Sequence, residues 1–320
     1  MKNQIDGERK MKRINGWIAI TLILGIFLSS LYARNQGTNP EKIFLWQLDY
    51  QTNKSYILGS VHFLKKEMYP LPIKIEEAFE QSDVLVVEAD ISDANMSRFL
   101  RLTMEKGMYT GEETLKQNLS EKTYRLTETV LKKNGIDIVF YQKFKPWFLA
   151  LTISGIELMK MGYNPNFGID KYFIDRVSAA PVDGTSPKKK ILELEGIAFQ
   201  IDLFDCFSKE ENDDFLFYSL QEIFQYQKEI DHLVEAWRSG DAAEMEQLLK
   251  KNLDKFSELT PMYKKFIDDR NISMTEKIIH FLKTDKMYFI MVGAAHLIGN
   301  QGILRLLEQK GVSVSQLKAY

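Results

Sequence analysis

Hydrophobic and polar positions along this chain recur with two different periods, which separates predicted strands from predicted helices. Residues 44–50 and 55–62 read as two strands joined by a turn at residues 51–54, and this spacing predicts a β-hairpin. The apolar spacing of residues 73–81 predicts a helix, and the continuous apolar run of residues 84–88 predicts a strand buried on both faces. Strand, helix and strand in this order indicate a βαβ unit.

The rest of the chain contains a long helical region followed by a return to alternating elements. Helical spacing dominates from about residue 92 to 260, with one strand-like interruption at residues 188–195. A helix over about residues 260–283, a buried strand at residues 287–296, a helix with Gly311 as its C-cap and a last strand follow. The pattern predicts an α/β fold whose central mixed β-sheet is built from both ends of the chain, with a large helical insertion between them.

An apolar run near the N-terminus stands apart from this domain. Residues 17–32 are almost wholly apolar and follow five basic residues, Lys2, Arg9, Lys10, Lys12 and Arg13. The segment 14–33 is about 20 residues long, enough for a helix to cross the hydrocarbon core. Basic flanks stay in the cytoplasm, so residues 1–13 would remain inside and the rest would lie outside. The sequence therefore predicts that residues 14–33 form a single transmembrane helix that acts as a signal anchor, with the usual basic flank before it.

This reading divides the chain into an anchor, a short polar linker at residues 34–42, and one extracytoplasmic domain over residues 43–320 at the cell membrane. Two alternatives remain open. The apolar run could be a cleaved signal peptide, which would release a secreted domain, or it could be a buried core helix.

Composition and charge narrow the class of function. The formal net charge is -2, so no overall field attracts nucleic acid, and we expect no nucleic-acid partner. Cys206 is the only cysteine, so no intramolecular disulfide can form. Hydrophobic residues make up 45% of the chain, which suffices for a sizeable core. No P-loop, dinucleotide fingerprint or zinc-ribbon spacing is present.

One short pattern occurs at the exits of two predicted strands. Gly59, Ser60 and Val61 lead to His62, and Gly293 is likewise followed by His296 after two alanines. Ligands of open α/β sheets bind at the carboxyl ends of strands, and glycine lets the backbone approach them closely. Histidine supplies a metal-ligating nitrogen or a general base. The alternative is that both segments are ordinary turns with hydrogen-bonded histidines.

A carboxylate follows a third predicted strand. Glu88 ends the apolar run of residues 84–88, and a buried carboxylate is costly unless it is paired or coordinating. Asp90 would share its face if the strand continued. One carboxylate and two imidazoles suit a divalent cation of the zinc or manganese type, with one position left for water. In the plainer reading, Glu88 is an exposed strand end or a helix N-cap partner.

Five segments in order resemble motifs of one known family. Residues 57–90 (ILGSVHFLKKEMYPLPIKIEEAFEQSDVLVVEAD) resemble the opening motif of the TraB/GumN family, and residues 292–314 (VGAAHLIGNQGILRLLEQKGVSV) its closing motif. FGIDKYF (167–173), ILELEGIAFQIDLF (191–204) and DDRNISM (268–274) look like its internal motifs. The resemblance covers about residues 44–314 and implies an α/β core similar to that of erythromycin esterases and the haem-binding ChaN-like proteins.

The resemblance also implies an activity and site residues. The family's animal TIKI members resemble metal-dependent proteases that use both Gly-x-x-His motifs and a glutamate, which fall here on His62, His296 and Glu88. The family's arginine-asparagine pair falls on Arg270 and Asn271. An arginine near a metal could neutralise an oxyanion or clamp a substrate carboxylate.

Internal motif carboxylates fall on Asp170 and Glu195, which would support the histidines together with Gly59, Ser60 and Gly293. In the alternative reading Asp170, Glu195 and Arg270 form structural ion pairs.

Together these observations predict a metal-dependent, peptidase-like hydrolase acting on a peptide or small-molecule substrate. Its cofactor would be a divalent cation, Mn, Co or Zn, with Glu88 or Asp90 available as general base. Two other classes stay open. The domain could be a non-catalytic protein that binds haem, metal or a peptide pheromone in the same pocket, or an interaction protein whose motifs only stabilise the fold.

Overall fold

The computed structural model of the protein describes residues 42–179, 189–222 and 226–320. The predicted anchor at residues 14–33, its basic flank and residues 34–41 of the linker lie outside these ranges. Within the described ranges, no helix is both long enough and apolar enough to cross a membrane.

Six strands form one mixed sheet: β1 (Lys42–Tyr50), β2 (Asn53–Ser60), β3 (Val84–Val87), β4 (Lys190–Glu193), β5 (Tyr288–Gly293) and β6 (Ser313–Lys318). Their order across the sheet is β4-β3-β5-β2-β1-β6. The pairs β4–β3, β3–β5 and β5–β2 are parallel, whereas β1 is antiparallel to both β2 and β6. The carboxyl ends of four adjacent strands therefore lie along the same edge of the sheet.

The helices are, in chain order, α1 (Ile73–Gln81), α2 (Asp93–Gly107), α3 (Glu121–Lys133), α4 (Pro146–Lys160), α5 (Ile169–Ser178), α6 (Ile197–Asp205), α7 (Lys209–Glu222), α8 (Tyr226–Arg238), α9 (Ala242–Lys255), α10 (Thr260–Tyr263), α11 (Asp269–Leu282), α12 (Ala294–Leu297) and α13 (Ile303–Gln309). The mixed α/β fold predicted from the periodicity is confirmed, including the helical stretch between β3 and β5.

The predicted hairpin is present as β1 and β2, and its turn consists of residues 51 and 52 alone, with Gln51 at a φ of 55°. The predicted βαβ unit is also present, because β2 and β3 are both parallel to β5 and α1 connects them. However, β5 from the end of the chain lies between the two strands. Local spacing gives the elements but not this insertion, because strand order depends on contacts far apart in sequence.

Two sequence predictions are corrected. The sheet is not built from the ends of the chain alone, because β4 comes from within the helical stretch and forms one edge. The helix expected over residues 260–283 is not continuous α-helix: residues Lys264–Asp268 form a π-helical turn between α10 and α11. Such turns within helices are rare and are frequently found at functional sites.

An aromatic cluster holds α1 and α5 against the centre of the sheet. The ring centroid of Phe79 on α1 lies 4.7 Å from that of Phe173 on α5 and 5.6 Å from that of Phe289 on β5. All six residues of β5 are buried, as expected of a central strand covered on both faces. Burial of three aromatic rings at one point fixes the position of α5 relative to β5.

The parallel register decides where the site forms. Ser60, the last residue of β2, is paired with Gly293, the last residue of β5. Each Gly-x-x-His segment therefore leaves the sheet at the same level and on neighbouring strands. The end of β3 lies on the other side of β5, so Glu88, which follows β3, reaches the same edge.

Candidate functional site

His62 lies in the loop after β2, and this loop is hydrogen-bonded to the approach to α5. The Val61 carbonyl accepts from the Ile169 amide at 3.0 Å, and the Leu64 carbonyl accepts from the Asn164 amide at 2.9 Å. The two segments approach so closely that a Cβ at Gly168 would lie 2.3 Å from the carbonyl oxygen of His62. A glycine is therefore required there, and α5 begins directly beside the histidine.

Asp170, in the first turn of α5, fixes the orientation of the His62 ring. Its Oδ2 lies 2.7 Å from His62 Nδ1, and its Oδ1 accepts from Ser60 Oγ at 2.8 Å. Because an ionised carboxylate only accepts, Nδ1 carries the proton and Nε2 of the neutral ring carries a lone pair. Burial lowers the pKa of His62, but Asp170 and, more weakly, Glu88 raise it, and the net shift is upward. Burial raises the pKa of Asp170, while His62 and the hydroxyl of Ser60 lower it, and the net shift is downward.

His296 lies in α12, the single helical turn that follows β5. Its Nδ1 is 2.6 Å from Oδ1 of Asn271, whose amide nitrogen donates to the Gln301 carbonyl at 2.8 Å. The second bond fixes the orientation of the Asn271 amide, so its oxygen faces the ring and His296 also carries its proton on Nδ1. Burial and the charge of Arg270 hold the pKa of His296 well below its usual range, which keeps this ring neutral.

The remaining nitrogen of each ring has no partner in the part of the chain that the structure describes. There, His62 Nε2 and His296 Nε2 are both buried atoms without a hydrogen bond, and the residues are 9% and 0% exposed. Nearly all buried polar atoms in proteins are hydrogen-bonded, so two unpartnered nitrogens in loops that leave neighbouring strands require an explanation. A charge on His62 would lower the pKa of His296 further.

Glu88 connects the ends of the strands. Its Oε1 accepts from the Gly293 amide at 2.6 Å, and its Oε2 accepts from Arg270 Nη2 at 2.6 Å and from Gln200 Nε2 at 2.9 Å. The same Oε1 lies 3.9 Å from His296 Nε2. Glu88 is therefore a buried and well-bonded carboxylate beside one of the unpartnered nitrogens, and neither an exposed strand end nor an N-cap.

Arg270 lies between two carboxylates. Its Nε donates to Glu195 Oε1 at 2.8 Å and its Nη2 to Glu195 Oε2 at 2.7 Å, in addition to the bond with Glu88. Nη1 donates to the carbonyl of Phe266 in the π-helical turn at 2.9 Å. The guanidinium is 2% exposed, and nearly all its donors are used within the protein. The sequence allowed two roles for Arg270, a catalytic one and a structural ion pair, and these contacts form such an ion pair.

Two glycines of the repeated motif act through the backbone. Gly293 supplies the amide that Glu88 accepts. A Cβ at Gly59 would lie 2.5 Å from the ring of Phe44 and 3.1 Å from the Cα of Ala294, so a larger residue would displace the Phe44 ring and crowd the start of α12. The carbonyl of Gly59 accepts from the indole of Trp237 at 2.7 Å. Ser60 is completely buried and holds Asp170, as described above.

Asp90 is not brought to this cluster. The expectation that it would share a face with Glu88 required β3 to continue, but β3 ends at Val87 and the chain bends there. Asp90 Oδ1 instead accepts from the Ser92 amide at the start of α2. Asp90 therefore accepts a hydrogen bond from the backbone just before the first residue of α2.

Sequence reasoning missed Gln200. Its side-chain amide donates to both Glu88 and Glu195, at 2.9 Å and 3.2 Å, and it is 7% exposed. The residue lies in the segment of residues 191–204 that resembled a family motif, but a glutamine on an apolar helix face carries no signal of its own. Gln200 is brought to Glu88 by the loop after β4. In this loop, the amides of Glu195 and Gly196 both donate to the Glu88 carbonyl at 2.9 Å.

The cluster carries an excess of negative charge. Three carboxylates, those of Glu88, Glu195 and Asp170, have side chains that are 6%, 4% and 12% exposed, whereas Arg270 is the cation among them. With both histidines neutral, two negative charges remain without a counter-charge. Uncompensated charge in a buried site is costly.

The fit to a metal ion is partial as the side chains stand. Across the described ranges, no three His, Cys, Asp or Glu side chains come close enough to hold one ion together. Two ligands each about 2 Å from a tetrahedral ion are roughly 3.3 Å apart. His296 Nε2 and Glu88 Oε1 are 3.9 Å apart, so this pair would have to move closer together to share an ion. The two free imidazole lone pairs and the excess negative charge also suit a divalent cation.

The fold and the site define an α/β protein with a buried cluster of two histidines and three carboxylates at the carboxyl ends of its parallel strands. The model of the TraB/PrgY/gumN family matches residues 44–316, so the chain belongs to this family.

Two curated relatives are both named "Uncharacterized protein YbaP". The chain is 25% identical to the protein of Shigella flexneri over 147 residues, which is 46% of this chain and 50% of the relative. It is also 25% identical to the protein of Escherichia coli (strain K12) over 146 residues, with the same shares. The matched part thus spans about half the length of these relatives. No solved structure matches the chain significantly.

Proposed function

We propose that this protein is a metal-dependent, peptidase-like hydrolase whose site is the cluster around His62, Glu88 and His296. The observation that carries the proposal is the pair of buried imidazole nitrogens, Nε2 of His62 and Nε2 of His296, which have lone pairs and no partner within residues 42–179, 189–222 and 226–320. A donor hydrogen, a water or a cation could satisfy them, and the charge of the surroundings distinguishes these possibilities.

The charge favours a cation. Two buried negative charges remain uncompensated when both rings are neutral, which is the state in which Nε2 can bind a metal. A divalent ion would both bind the unpartnered nitrogens and compensate the negative charge. Such an ion, when bound, would lower the pKa of a bound water so that it is a nucleophile near neutral pH.

The surrounding residues have separate tasks in this proposal. Asp170 and Asn271 hold the two rings by Nδ1, which is the usual way in which proteins orient ligating histidines. Arg270 holds Glu88 in place and balances part of its charge. Glu88 Oε1 accepts from the Gly293 amide and from no other described residue, so it keeps a lone pair for a cation or for the proton of a water.

The test compares metal content and hydrolysis in matched variants. Wild-type protein, His62→Ala and His296→Ala are purified at full length, and their metal content is measured by mass spectrometry together with turnover of a peptide library. We expect close to one divalent ion per wild-type chain and a loss of both metal and turnover in the two variants. His280→Ala is the control, because His280 is an exposed residue at the end of α11.

Each outcome has a distinct meaning. Equal metal content in wild type and His62→Ala would remove His62 from the site. Metal, haem or peptide binding that depends on both histidines but gives no hydrolysis across the library would favour a non-catalytic binding protein. Lower melting temperatures of the histidine variants, with no change in any ligand response, would favour a structural role for the motifs.

We also propose that the domain acts outside the cytoplasm, held to the membrane by residues 14–33. The support is the apolar run of residues 17–32 behind five basic residues. Protease added to intact cells is expected to degrade the domain while the cytoplasmic proteins survive. Recovery of the domain in the medium would indicate signal cleavage, and full protection in intact cells would contradict the proposal.

A further inference from the structure

An apolar cavity adjoins both histidine loops. Val61 and Phe63, which flank His62, form one part of its wall, and Ala294 and Ala295, which precede His296, form another. Helices α4, α8 and α9 close it from the other side, and every side chain that lines it is aliphatic or aromatic. The chain neighbours of both proposed metal ligands therefore line the cavity, although the two histidine side chains themselves are not part of its wall.

Most of the cavity wall is buried, but one side is partly open to solvent. Val61, Phe63 and Ala294 are at most 7% exposed. Three lining residues, Leu233, Leu249 and Ala295, are partly exposed and form the mouth. Protein interiors are normally packed without voids, so a cavity that persists beside a polar site indicates a place for a ligand group.

The size and chemistry of the cavity limit what it can hold. Its volume is about 60 Å³. Pockets that enclose a whole small ligand measure about 300–1,000 Å³, so this one can take only a part of a larger molecule. The walls offer no charged or amide group, so a sugar, a nucleotide or a charged side chain would lose its hydrogen bonds with water and gain none.

We infer that this cavity is a specificity pocket that takes one branched aliphatic side chain of a peptide substrate. The inference rests on the proposed function, because it places the scissile bond at the adjoining histidine cluster. The pocket adds selectivity among peptides: Leu, Ile or Val would be accepted next to the cleaved bond, and Gly, Asp or Lys would be disfavoured.

Binding can be measured without turnover. Fluorescently labelled peptides of the form Gly-Gly-X-Gly-Gly, with X as Gly, Ala, Leu, Phe or Asp, are titrated with the full-length protein in lipid nanodiscs, because detergent tails would compete for an apolar pocket. Burying a leucine side chain is expected to make the Leu peptide bind at least about 10-fold tighter than the Gly peptide.

Two pocket variants change this preference in opposite directions. Leu249→Phe fills the mouth and is expected to reduce the advantage of the Leu peptide to less than about threefold. Met245→Ala enlarges the cavity and should bring the Phe peptide level with or above the Leu peptide. Leu248→Phe is the matched control, since it makes the same change at the neighbouring position of α9, outside the cavity lining, and should keep the wild-type ranking.

The outcomes separate the pocket from the reaction. Side-chain-selective binding without hydrolysis would support the pocket and contradict the hydrolase. Hydrolysis with the same side-chain ranking in wild type, Leu249→Phe and Met245→Ala would contradict the pocket and leave the hydrolase intact. Neither binding nor hydrolysis of any peptide in the series would contradict both.

Discussion

His62 and His296 each donate a hydrogen bond from Nδ1 to a side-chain oxygen, which can act only as an acceptor. For His62 this oxygen belongs to Asp170, at 2.7 Å, and for His296 it belongs to Asn271, at 2.6 Å. The sequence placed all four residues in candidate roles, but it could not show which carboxylate or amide faces which ring. In the structure Asp170 and Asn271 fix the orientation of the two rings, and neither Nε2 atom has a partner among the described residues.

The carboxylate of Asp170 can be tested as a positioning group. In Asp170→Asn the amide can present NH₂ instead of oxygen to His62, so the ring loses the partner that fixes its tautomer. Loss of such a partner typically lowers metal affinity about 10- to 100-fold, and we expect that range in a titration with Zn²⁺ or Mn²⁺. Asp175→Asn on the same helix, whose carboxylate pairs with Lys171 on the surface, should leave the affinity unchanged. An unchanged affinity in Asp170→Asn would contradict its role.

The two histidines should give opposite pH dependences of stability in metal-free protein. The pKa of His296 is lowered on folding, so below about pH 6.5 the unfolded state binds a proton that the folded state does not. Wild type should therefore lose up to about 1.4 kcal/mol per pH unit relative to His296→Gln as the pH falls below 6.5.

The pKa of His62 is raised on folding, so its contribution is fully present below about pH 6.5 and is lost as the pH rises through the folded-state pKa. Wild type should gain stability relative to His62→Gln on acidification. Denaturant unfolding at pH 5 to 8 measures both differences, and the same sign for the two variants would contradict these assignments.

At the level of elements, the site depends on where helices and strands begin and end. Because β3 stops at Val87, Glu88 turns toward Gly293 and Asp90 turns away. The π-helical turn at Lys264–Asp268 puts the Phe266 carbonyl within reach of Arg270. Hydrophobic periodicity predicted β1, β2, α1, β3 and β5 closely, because each buries an apolar face. It could not predict the π turn or Gln200, since neither changes the apolar spacing and both depend on distant partners.

Arg270 connects three of these elements, so its removal should be costly. In Arg270→Met, the carboxylates of Glu88 and Glu195 would stay buried without their cation. Breaking a buried ion pair from one side typically destabilises a protein by about 3–5 kcal/mol, and we expect a loss in that range in denaturant unfolding.

Arg305→Met, which removes a surface partner of Glu308, is the control and should change the stability little. A similar, small effect of both substitutions would mean that the buried cluster does not depend on its arginine.

For the whole molecule, the proposed ligands come from residues 62, 88 and 296, and the segments that carry them lie at the ends of neighbouring strands because β5 inserts between β2 and β3. Sequence patterns predicted the class of fold and, through the repeated Gly-x-x-His motif, two histidine loops at the ends of strands. They indicated a strand-like segment at residues 188–195 but could not give the strand order or the place of β4 at the edge of the sheet, because pairing between strands far apart in sequence leaves no local trace. A metal held there would link the two ends of the domain.

That link predicts a stabilisation by metal. An ion that binds only the folded protein adds about 2.7 kcal/mol when its concentration is 100 times the dissociation constant. We therefore expect the melting temperature of the wild type to fall on treatment with a chelator and to recover when Zn²⁺ or Mn²⁺ is returned. The double variant His62→Ala and His296→Ala should melt at the same temperature with and without chelator. A wild type insensitive to both treatments would speak against a bound ion.

Anomalous diffraction from crystals grown with Zn²⁺ or Mn²⁺ measures the position of the ion directly. We predict one strong peak at the carboxyl ends of β2 and β5, at about 2.0–2.2 Å from Nε2 of both His62 and His296, with a Glu88 oxygen beside it. Crystals that hold the ion elsewhere, or that leave both nitrogens without it at saturating metal, would contradict a shared metal site between the two histidine loops.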